Sequence, residues 1–232
     1  MTSKFSLPLE ILFEDNHIIC VNKKCGEIVQ PDLSGDPALE EIVKEYIKEK
    51  YNKPGSVFLG VVHRIDRPVS GVVMFARTSK ALARINEMFK EKTVKKTYWA
   101  IVKNKPVNEA GTLEQFLLRN SKQNKSYIHS SQVPGSKLAI LHYRLIFSSN
   151  SYFLLEIDLE TGRHHQIRAQ LSAIGSPIRG DLKYGFDRSN PDGGINLHAR
   201  SIEFFHPVSK ERIRVIARPP DEKLWNVFIN CL

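Results

Sequence analysis

One carboxylate stands out in the sequence because it lies between two arginines and just before an apolar run. Asp66 is flanked by Arg64 and Arg67 in the stretch VVHRIDRPVSGVVMFAR, residues 61–77. Two nearby guanidinium groups favour the ionised carboxylate, which is the form that a nucleophile or a permanently charged base requires. Pro68 biases Arg67 toward an extended backbone, so the turn leads directly into a predicted strand. On this stretch alone, an arginine-flanked aspartate that only closes a turn is the alternative interpretation.

A second cluster of polar side chains lies in the segment GRHHQIR, residues 162–168. The pattern predicts a helix start here, where the helix dipole disfavours cations unless an anion compensates them. Arg163 and Arg168 therefore predict a nearby carboxylate or phosphate. His164 and His165 lack the i, i+4 spacing and the third ligand of a usual metal site, so no metal is expected.

Short strands and helices of mixed order must position these two segments. A helix is predicted with Asp36 as its N-cap and Pro37 as its first residue, and another is capped by Thr78 or Ser79. A third helix ends at Gly175. Strands are predicted at 18–21, 72–76, 97–103 and 153–160, and within 195–207 and 212–220. The polar stretch 104–135 predicts loops and an exposed hairpin, and the whole pattern favours a single α+β domain over residues 1–232.

Composition bounds the class of protein. The chain has 232 residues, of which 41% are hydrophobic and 25% charged, as in ordinary globular proteins. It contains no run of about 20 apolar residues and no secretory leader pattern, which predicts a cytoplasmic protein without a membrane partner. Its three cysteines show no disulfide or zinc-ribbon spacing.

The positive charge is concentrated in one part of the chain. The formal net charge is +9, and the stretch from Lys90 to Arg144 contains eleven basic and three acidic residues. Such a stretch favours a polyanionic partner, because binding phosphates releases condensed counterions. A solvated, lysine-rich face is the alternative.

Five segments in order resemble the RluA family of RNA pseudouridine synthases. They are ILFEDNHIICVNK, VVHRIDRPVSGVVMFAR, KKTYWAIV, LETGRHHQIRAQLSAIGSPIRGDLKYG and NLHARSIEFFHP, and together they span nearly the whole chain. The resemblance implies the pseudouridine synthase fold, with a mixed, mostly antiparallel central sheet flanked by helices and loops. Many relatives also carry an N-terminal S4 RNA-binding domain, and none is expected here.

The resemblance also implies roles for individual residues. Asp66 matches the catalytic aspartate, Arg168 the arginine that pairs with it, and Tyr98 the tyrosine that packs against the target base. Arg64 matches an arginine that fills the space left by a flipped nucleotide. Candidate RNA-binding residues are Arg64, Arg67, Arg163, His164, His165, Lys95 and Lys96.

Three departures from the family pattern bear on substrate choice. Val69 stands where threonine is common after the catalytic turn, and His164 stands where the second motif usually has threonine. Lys24 and Cys25 replace the usual Pro-Ala pair. All three departures leave the aspartate, the tyrosine and the arginine in place.

The implied reaction breaks the uridine C1′–N1 bond, rotates the uracil and rejoins it through C5, so neither a metal nor another cofactor is expected. The target base must leave its stack, and we expect the substrate to be a stem-loop in ribosomal or transfer RNA, bound by a monomer. The alternative function is an RNA-binding or RNA-folding protein whose isomerase activity is incidental or lost. A histidine-metal hydrolase is a third and much weaker hypothesis.

Overall fold

The structure is a computed structural model that describes residues 9–231. This part of the chain contains eleven β-strands and four α-helices. This arrangement confirms the predicted α+β class. The described chain divides into two compact units that alternate along the sequence. Unit 1 contains the residues up to Val94 together with Ser201–Arg218, and unit 2 contains Lys95–Arg200 and the residues from Pro219 onward.

Unit 1 is built on antiparallel strands, of which β2 and β4 are the most buried. Its strands are β1 (Ile11–Glu14), β2 (Ile18–Lys23), β3 (Gly60–Val61), β4 (Ser70–Ala76), the end of β10 (Leu197–Phe205) and β11 (Arg212–Ile216). Strand β2 pairs with both β1 and β4, β3 also pairs with β4, and β10 pairs with β11. All seven residues of β4 are buried, as its continuous apolar run predicts.

Two helices complete unit 1, α1 (Leu39–Lys50) and α2 (Ser79–Lys90). Thr78 is the N-cap of α2, and its hydroxyl accepts a hydrogen bond from the amide of Ala81 at 3.1 Å. This confirms one of the two predicted caps. The apolar face of α2 packs into a core that includes Ile18 and Met74.

The start of α1 differs from the prediction that Asp36 caps it and that Pro37 is its first residue. The helix begins at Leu39, because the loop carbonyls of Ile28 and Val29 accept hydrogen bonds from the first helical amides at 2.8 and 3.1 Å. With backbone groups satisfying these amides, no side-chain cap is needed. Asp36 instead forms an ion pair with Arg67.

Unit 2 contains an antiparallel sheet that includes β5. The strands follow in the spatial order β5 (Lys95–Val102), β9 (Phe153–Leu159), β8 (Lys137–Ser148), β6 (Ala110–Asn120) and β7 (Lys125–His129). Strand β9 begins at the predicted residue and ends one residue before the predicted end. The hairpin expected within the polar stretch is β6–β7, and its strands occupy half of that stretch.

The helices of unit 2 are α3 (Gln166–Ala173) and α4 (Lys223–Ile229), with a 3-10 turn at Leu182–Tyr184. Trp225 and Phe228 of α4 pack with Trp99 of β5 on one face of the sheet. Within residues 9–231, no helix is long and apolar enough to cross a membrane.

Candidate active site

Asp66 lies in the turn that leads into β4. Its carbonyl accepts a hydrogen bond from the amide of Val69 at 3.0 Å, which closes the turn. Ile65 and Val69 are buried on either side, whereas Asp66 is only half-buried. The turn is therefore anchored by apolar neighbours, and it places the carboxylate at the edge of a rigid strand.

A buried lysine supports this turn from within unit 1. The Lys23 side chain is fully buried, and its ammonium donates hydrogen bonds to the carbonyls of Lys24 and Arg67 at 2.8 and 3.1 Å. Burial lowers the pKa of Lys23 from 10.5 to about 8, whereas the negative charges of Glu27 and Asp66 act to raise it. Lys23 thus supplies a positive charge close to the Asp66 turn.

The two arginines that flank Asp66 in sequence are both exposed. Arg67 forms its ion pair with Asp36, on the loop before α1. Arg64 and Arg67 therefore present charge to the solvent, as candidate RNA contacts must. His63, one residue earlier, accepts a hydrogen bond from the amide of Met74 at 3.0 Å and ties this segment to β4.

Tyr98 is buried in β5, opposite Ile157 of β9. Neighbouring side chains alternate across a strand, so Tyr98 lies on the face of the sheet opposite Trp99. Lys95 at the start of β5 is exposed, and burial lowers the pKa of the half-buried Lys96. The Lys96 ammonium lies 3.5 Å from the position of a Cβ at Gly162, so it covers the turn before α3.

Arg168 is in the first turn of α3, 5% exposed, and it is held by a carboxylate that the sequence analysis did not identify. Its Nε and Nη2 donate to the two carboxylate oxygens of Asp181 at 2.7 and 2.8 Å. Asp181 is itself 1% exposed. The anion that the helix start predicts for Arg168 thus includes a buried aspartate 13 residues further along the chain.

The two histidines before α3 belong to a hydrogen-bonded cluster. Their rings stack at 3.8 Å. His164 lies 2.9 Å from the Ser126 hydroxyl and 3.1 Å from the Asn124 side-chain oxygen, and His165 Nδ1 lies 3.0 Å from the Tyr184 hydroxyl. His164 is half-buried and His165 is 8% exposed, whereas Arg163 is exposed. The cluster joins the start of α3 to the β6–β7 hairpin and to the 3-10 turn.

His165 should make the stability of the protein depend on pH. Burial, assisted by the positive charges of Arg168 and His164, lowers the pKa of His165 from 6.5 to about 2. The folded state then binds this proton more weakly than the unfolded state, so stability is full above pH 6.5 and falls as the pH decreases toward 2. Between pH 7 and pH 5 we expect this group alone to lower the free energy of unfolding by about 2 kcal/mol.

Urea denaturation at the two pH values measures this effect. In His165→Gln the decrease between pH 7 and pH 5 should be smaller by about that amount. His142→Gln, which changes a histidine that is 46% exposed, is the matched control for the substitution itself. Equal decreases in all three proteins would contradict the neutral state of His165.

The candidate residues fall into two groups. Unit 1 contains Arg64, Asp66 and Arg67, and unit 2 contains Tyr98, Lys95, Lys96, Arg163, His164, His165 and Arg168. Sequence reasoning missed Lys23, Asp181 and Tyr184. The positive charge of Arg168 near a helix start was the signal that could have indicated a nearby acid such as Asp181.

His164 and His165 have polar neighbours that are mostly not metal-ligating side chains. Within residues 9–231, no group of three or more His, Cys, Asp or Glu side chains is placed to hold a metal ion. The stacked rings of His164 and His165 bond to serine, asparagine and tyrosine side chains.

The fold resembles solved pseudouridine synthase structures. The human RNA Pseudouridylate Synthase Domain Containing 4 protein superposes with a TM-score of 0.80 at 21% identity, covering 94% of this chain and 92% of that one. The human Domain Containing 1 protein superposes with a TM-score of 0.72 at 23% identity, covering 98% and 90%. Together with the α+β architecture, these matches define the class of the fold.

Sequence comparisons identify the family. The model of the RNA pseudouridylate synthase family matches residues 17–173. Ribosomal large subunit pseudouridine synthase D of Zymomonas mobilis is 33% identical over 93% of this chain and 71% of its own length. Pseudouridine synthase C of Rickettsia bellii is 33% identical over 90% of this chain and 68% of its own length. The chain therefore belongs to the RluA-type RNA pseudouridine synthases, isomerases that convert uridine to pseudouridine in RNA.

Proposed function

We propose that this enzyme isomerises specific uridines in structured ribosomal RNA, with Asp66, Tyr98 and Arg168 as its catalytic residues. The observation that carries the proposal is that all three residues lie within the matched family region, residues 17–173, in the motifs that resemble the family's catalytic motifs. Relatives at 33% identity bear ribosomal large subunit names, which favours ribosomal over transfer RNA. The alternative, an RNA-binding protein without activity, is not favoured.

The proposed reaction gives each residue one task. The Asp66 carboxylate attacks or takes a proton at the ribose, and the C1′–N1 bond breaks. The uracil turns against the Tyr98 ring and its C5 bonds to C1′, which either displaces the Asp66 carboxylate from C1′ or is accompanied by return of the abstracted proton from Asp66 to the ribose. C5 then loses its proton and N1 gains one. Arg168 keeps the carboxylate ionised and oriented through charge-assisted hydrogen bonds. Atoms and electrons balance without an oxidant or a reductant.

Access to the ribose requires that the target nucleotide leaves its stack, at a cost of a few kcal/mol that loops and mismatches reduce. We propose that Arg64 fills the space left behind. The remaining candidate RNA contacts, Arg67, Lys95, Lys96, Arg163, His164 and His165, would bind or support the binding of phosphates without reading sequence. His165 is buried, so we assign it the supporting task.

We further propose that the protein acts as a monomer in the cytoplasm, as one catalytic domain over residues 1–232. It has no need of a metal or an organic cofactor for the chemistry, because the carboxylate, the ring and the guanidinium are all supplied by the chain.

Tritium release from ribosomal RNA labelled at uridine C5 tests the proposal directly. The wild-type protein should release tritium in proportion to the pseudouridine formed, and transfer RNA labelled in the same way is the comparison substrate. Release from transfer RNA alone would overturn the ribosomal assignment. Absence of release from both, with folded protein, would overturn the activity. Mapping the pseudouridines lost from the host when the protein is removed then identifies the position.

The exposed basic residues should contribute counterion release to RNA binding. Arg64→Gln and Lys95→Gln should each weaken binding and reduce the slope of log Kd against log salt concentration by about one. Lys48→Gln, which removes an exposed charge on α1, is the matched control and should leave both unchanged. Fluorescence anisotropy with a labelled RNA stem-loop measures the slope, and an unchanged slope in both variants would remove these residues from the interface.

A further inference from the structure

Asp181 fixes one edge of the Arg168 guanidinium in a buried position. The two parallel N–H···O bonds use Nε and Nη2, and both side chains are nearly inaccessible to solvent, at 6% and 1%. A bidentate pair of this kind constrains direction as well as distance, unlike a contact with a single donor. Arg168 is therefore oriented by Asp181 before any substrate binds.

The backbone that carries Asp181 is itself held firmly within unit 2. The amide of Arg179 donates to the Ile101 carbonyl of β5 at 2.9 Å, and the amide of Asp181 donates to the Ile178 carbonyl at 3.1 Å. The amide of Lys103 donates to the Pro177 carbonyl at 3.2 Å. These bonds attach the segment to a central strand, so the carboxylate has a rigid support.

Tyr184 restrains a second direction of the same guanidinium. The Arg168 Cζ lies 5.1 Å from the centre of the Tyr184 ring, within the range of a cation–π contact. The amide of Tyr184 donates to the carbonyl of Asp181 at 3.1 Å, and its hydroxyl accepts a hydrogen bond from the amide of Ser126 at 2.8 Å. Asp181 thus binds the guanidinium edge directly and helps to place the ring beside it.

We propose that Asp181 is a positioning residue for the reaction and that it acts through Arg168. Asp181 binds the Nε–Nη2 edge of the guanidinium, and the Tyr184 ring contacts one of its faces. The orientation of the guanidinium is therefore fixed, and with it the direction in which Nη1 points. This inference rests on the proposed function, in which Arg168 orients the catalytic carboxylate.

Charge neutralisation alone is the competing explanation of Asp181. Compared with apolar side chains of similar volume, a buried ion pair is a weak source of stability, so stability does not by itself account for the pair. The two explanations differ in their consequences. If Asp181 orients the Arg168 guanidinium, replacing Asp181 lowers kcat and leaves RNA affinity intact. If Asp181 only neutralises charge and supports folding, replacing it lowers only the amount of folded protein.

Asp181→Asn tests the proposal, because it keeps the size of the side chain and removes the second acceptor oxygen. We expect kcat for tritium release to fall by at least about 30-fold, since misplacement of a catalytic group by about 1 Å costs on the order of 100-fold. The Kd for the RNA should stay within about two-fold of the wild-type value. Circular dichroism and thermal melting measure the folded fraction, to which each rate is normalised.

Asp187→Asn is the matched control. Asp187 follows the 3-10 turn that comes directly after Asp181, and it forms an exposed ion pair with Lys103, so its amide variant should keep the wild-type kcat. A normalised kcat within about three-fold of wild type in Asp181→Asn would overturn the inference while leaving the proposed function intact. If the wild-type protein itself releases no tritium from the labelled RNA, the proposed function is overturned instead.

Arg168→Lys decides the question if Asp181→Asn does not fold. Lysine keeps a positive charge beside Asp181 but lacks the planar fork that a carboxylate binds at two points. We expect a folded protein with wild-type RNA affinity and a kcat lowered by at least about 30-fold. Full activity of Arg168→Lys would show that only charge is needed at this place and would contradict the positioning role.

Discussion

Asp66→Asn should abolish pseudouridine formation while RNA affinity stays within about two-fold of wild type. The amide has nearly the size of the carboxylate, so the turn closed by the Asp66 carbonyl and the Val69 amide is preserved. It can act neither as a nucleophile nor as a base at the ribose. Because removal of such a group costs at least about 10³-fold in rate, we expect kcat below the detection limit of tritium release.

Asp36→Asn is the control for this experiment, because Asp36 is an acid close to the same turn through its ion pair with Arg67. Both partners are exposed, and exposed ion pairs contribute about 0–1 kcal/mol, so this variant should keep the wild-type rate within about three-fold. If Asp66→Asn retains a tenth or more of the wild-type kcat, the carboxylate is not the reacting group. If Asp66→Asn loses the isomerase activity but keeps both RNA binding and the biological effect of the protein in its host, the alternative of a protein that acts by binding RNA is revived.

Elements with a clear hydrophobic pattern were predicted well from the sequence. Strand β9 has an alternating pattern and lies within one residue of the expected bounds, and β4 is a continuous apolar run that is buried throughout. In both, the pattern reports directly how the strand meets the core. Polar strands gave no such signal, so β6 and β7 were predicted only as loops and a hairpin.

Local capping rules failed where distant backbone groups took over. Asp36 has the residue type and the following proline of a helix start, yet α1 begins at Leu39, because the carbonyls of Ile28 and Val29 bind its first amides. The second motif shows a similar limit. Its arginines and histidines were expected on the first turns of a helix, but α3 begins at Gln166, after a left-handed His165, and only Arg168 lies within it.

The candidate site was predictable in its residue types but not in its supports. Chemistry and family resemblance are sufficient to select Asp66, Tyr98 and Arg168. The charge of Arg168 near a helix start demanded an anion, but the choice of Asp181 depends on the path of the chain between the two residues. Lys23 could not be predicted to be buried, because a lysine at the end of a strand is usually solvated.

Gly180→Ala should destabilise the protein and displace Asp181. Gly180 has φ of +86°, and a Cβ at this position would lie 2.7 Å from the Gly194 carbonyl oxygen and 2.8 Å from the Asn190 side chain. The left-handed backbone costs alanine about 1 kcal/mol. Relief of the close contacts adds about 1–3 kcal/mol, as overpacking of a buried site does. We therefore expect the free energy of unfolding to fall by about 2–4 kcal/mol.

Gly175→Ala separates the two causes, because Gly175 has φ of +78° but no atom within 4 Å of the added Cβ. This control carries the backbone cost alone and should lose about 1 kcal/mol in urea denaturation. Any Gly180→Ala protein that folds should also show a lower kcat, since relief of the contacts shifts the residue that orients Arg168. Equal losses of stability in the two variants would mean that the residues around Gly180 move readily to make room for the added methyl group. That result would contradict the inference that Asp181 is held on a rigid support.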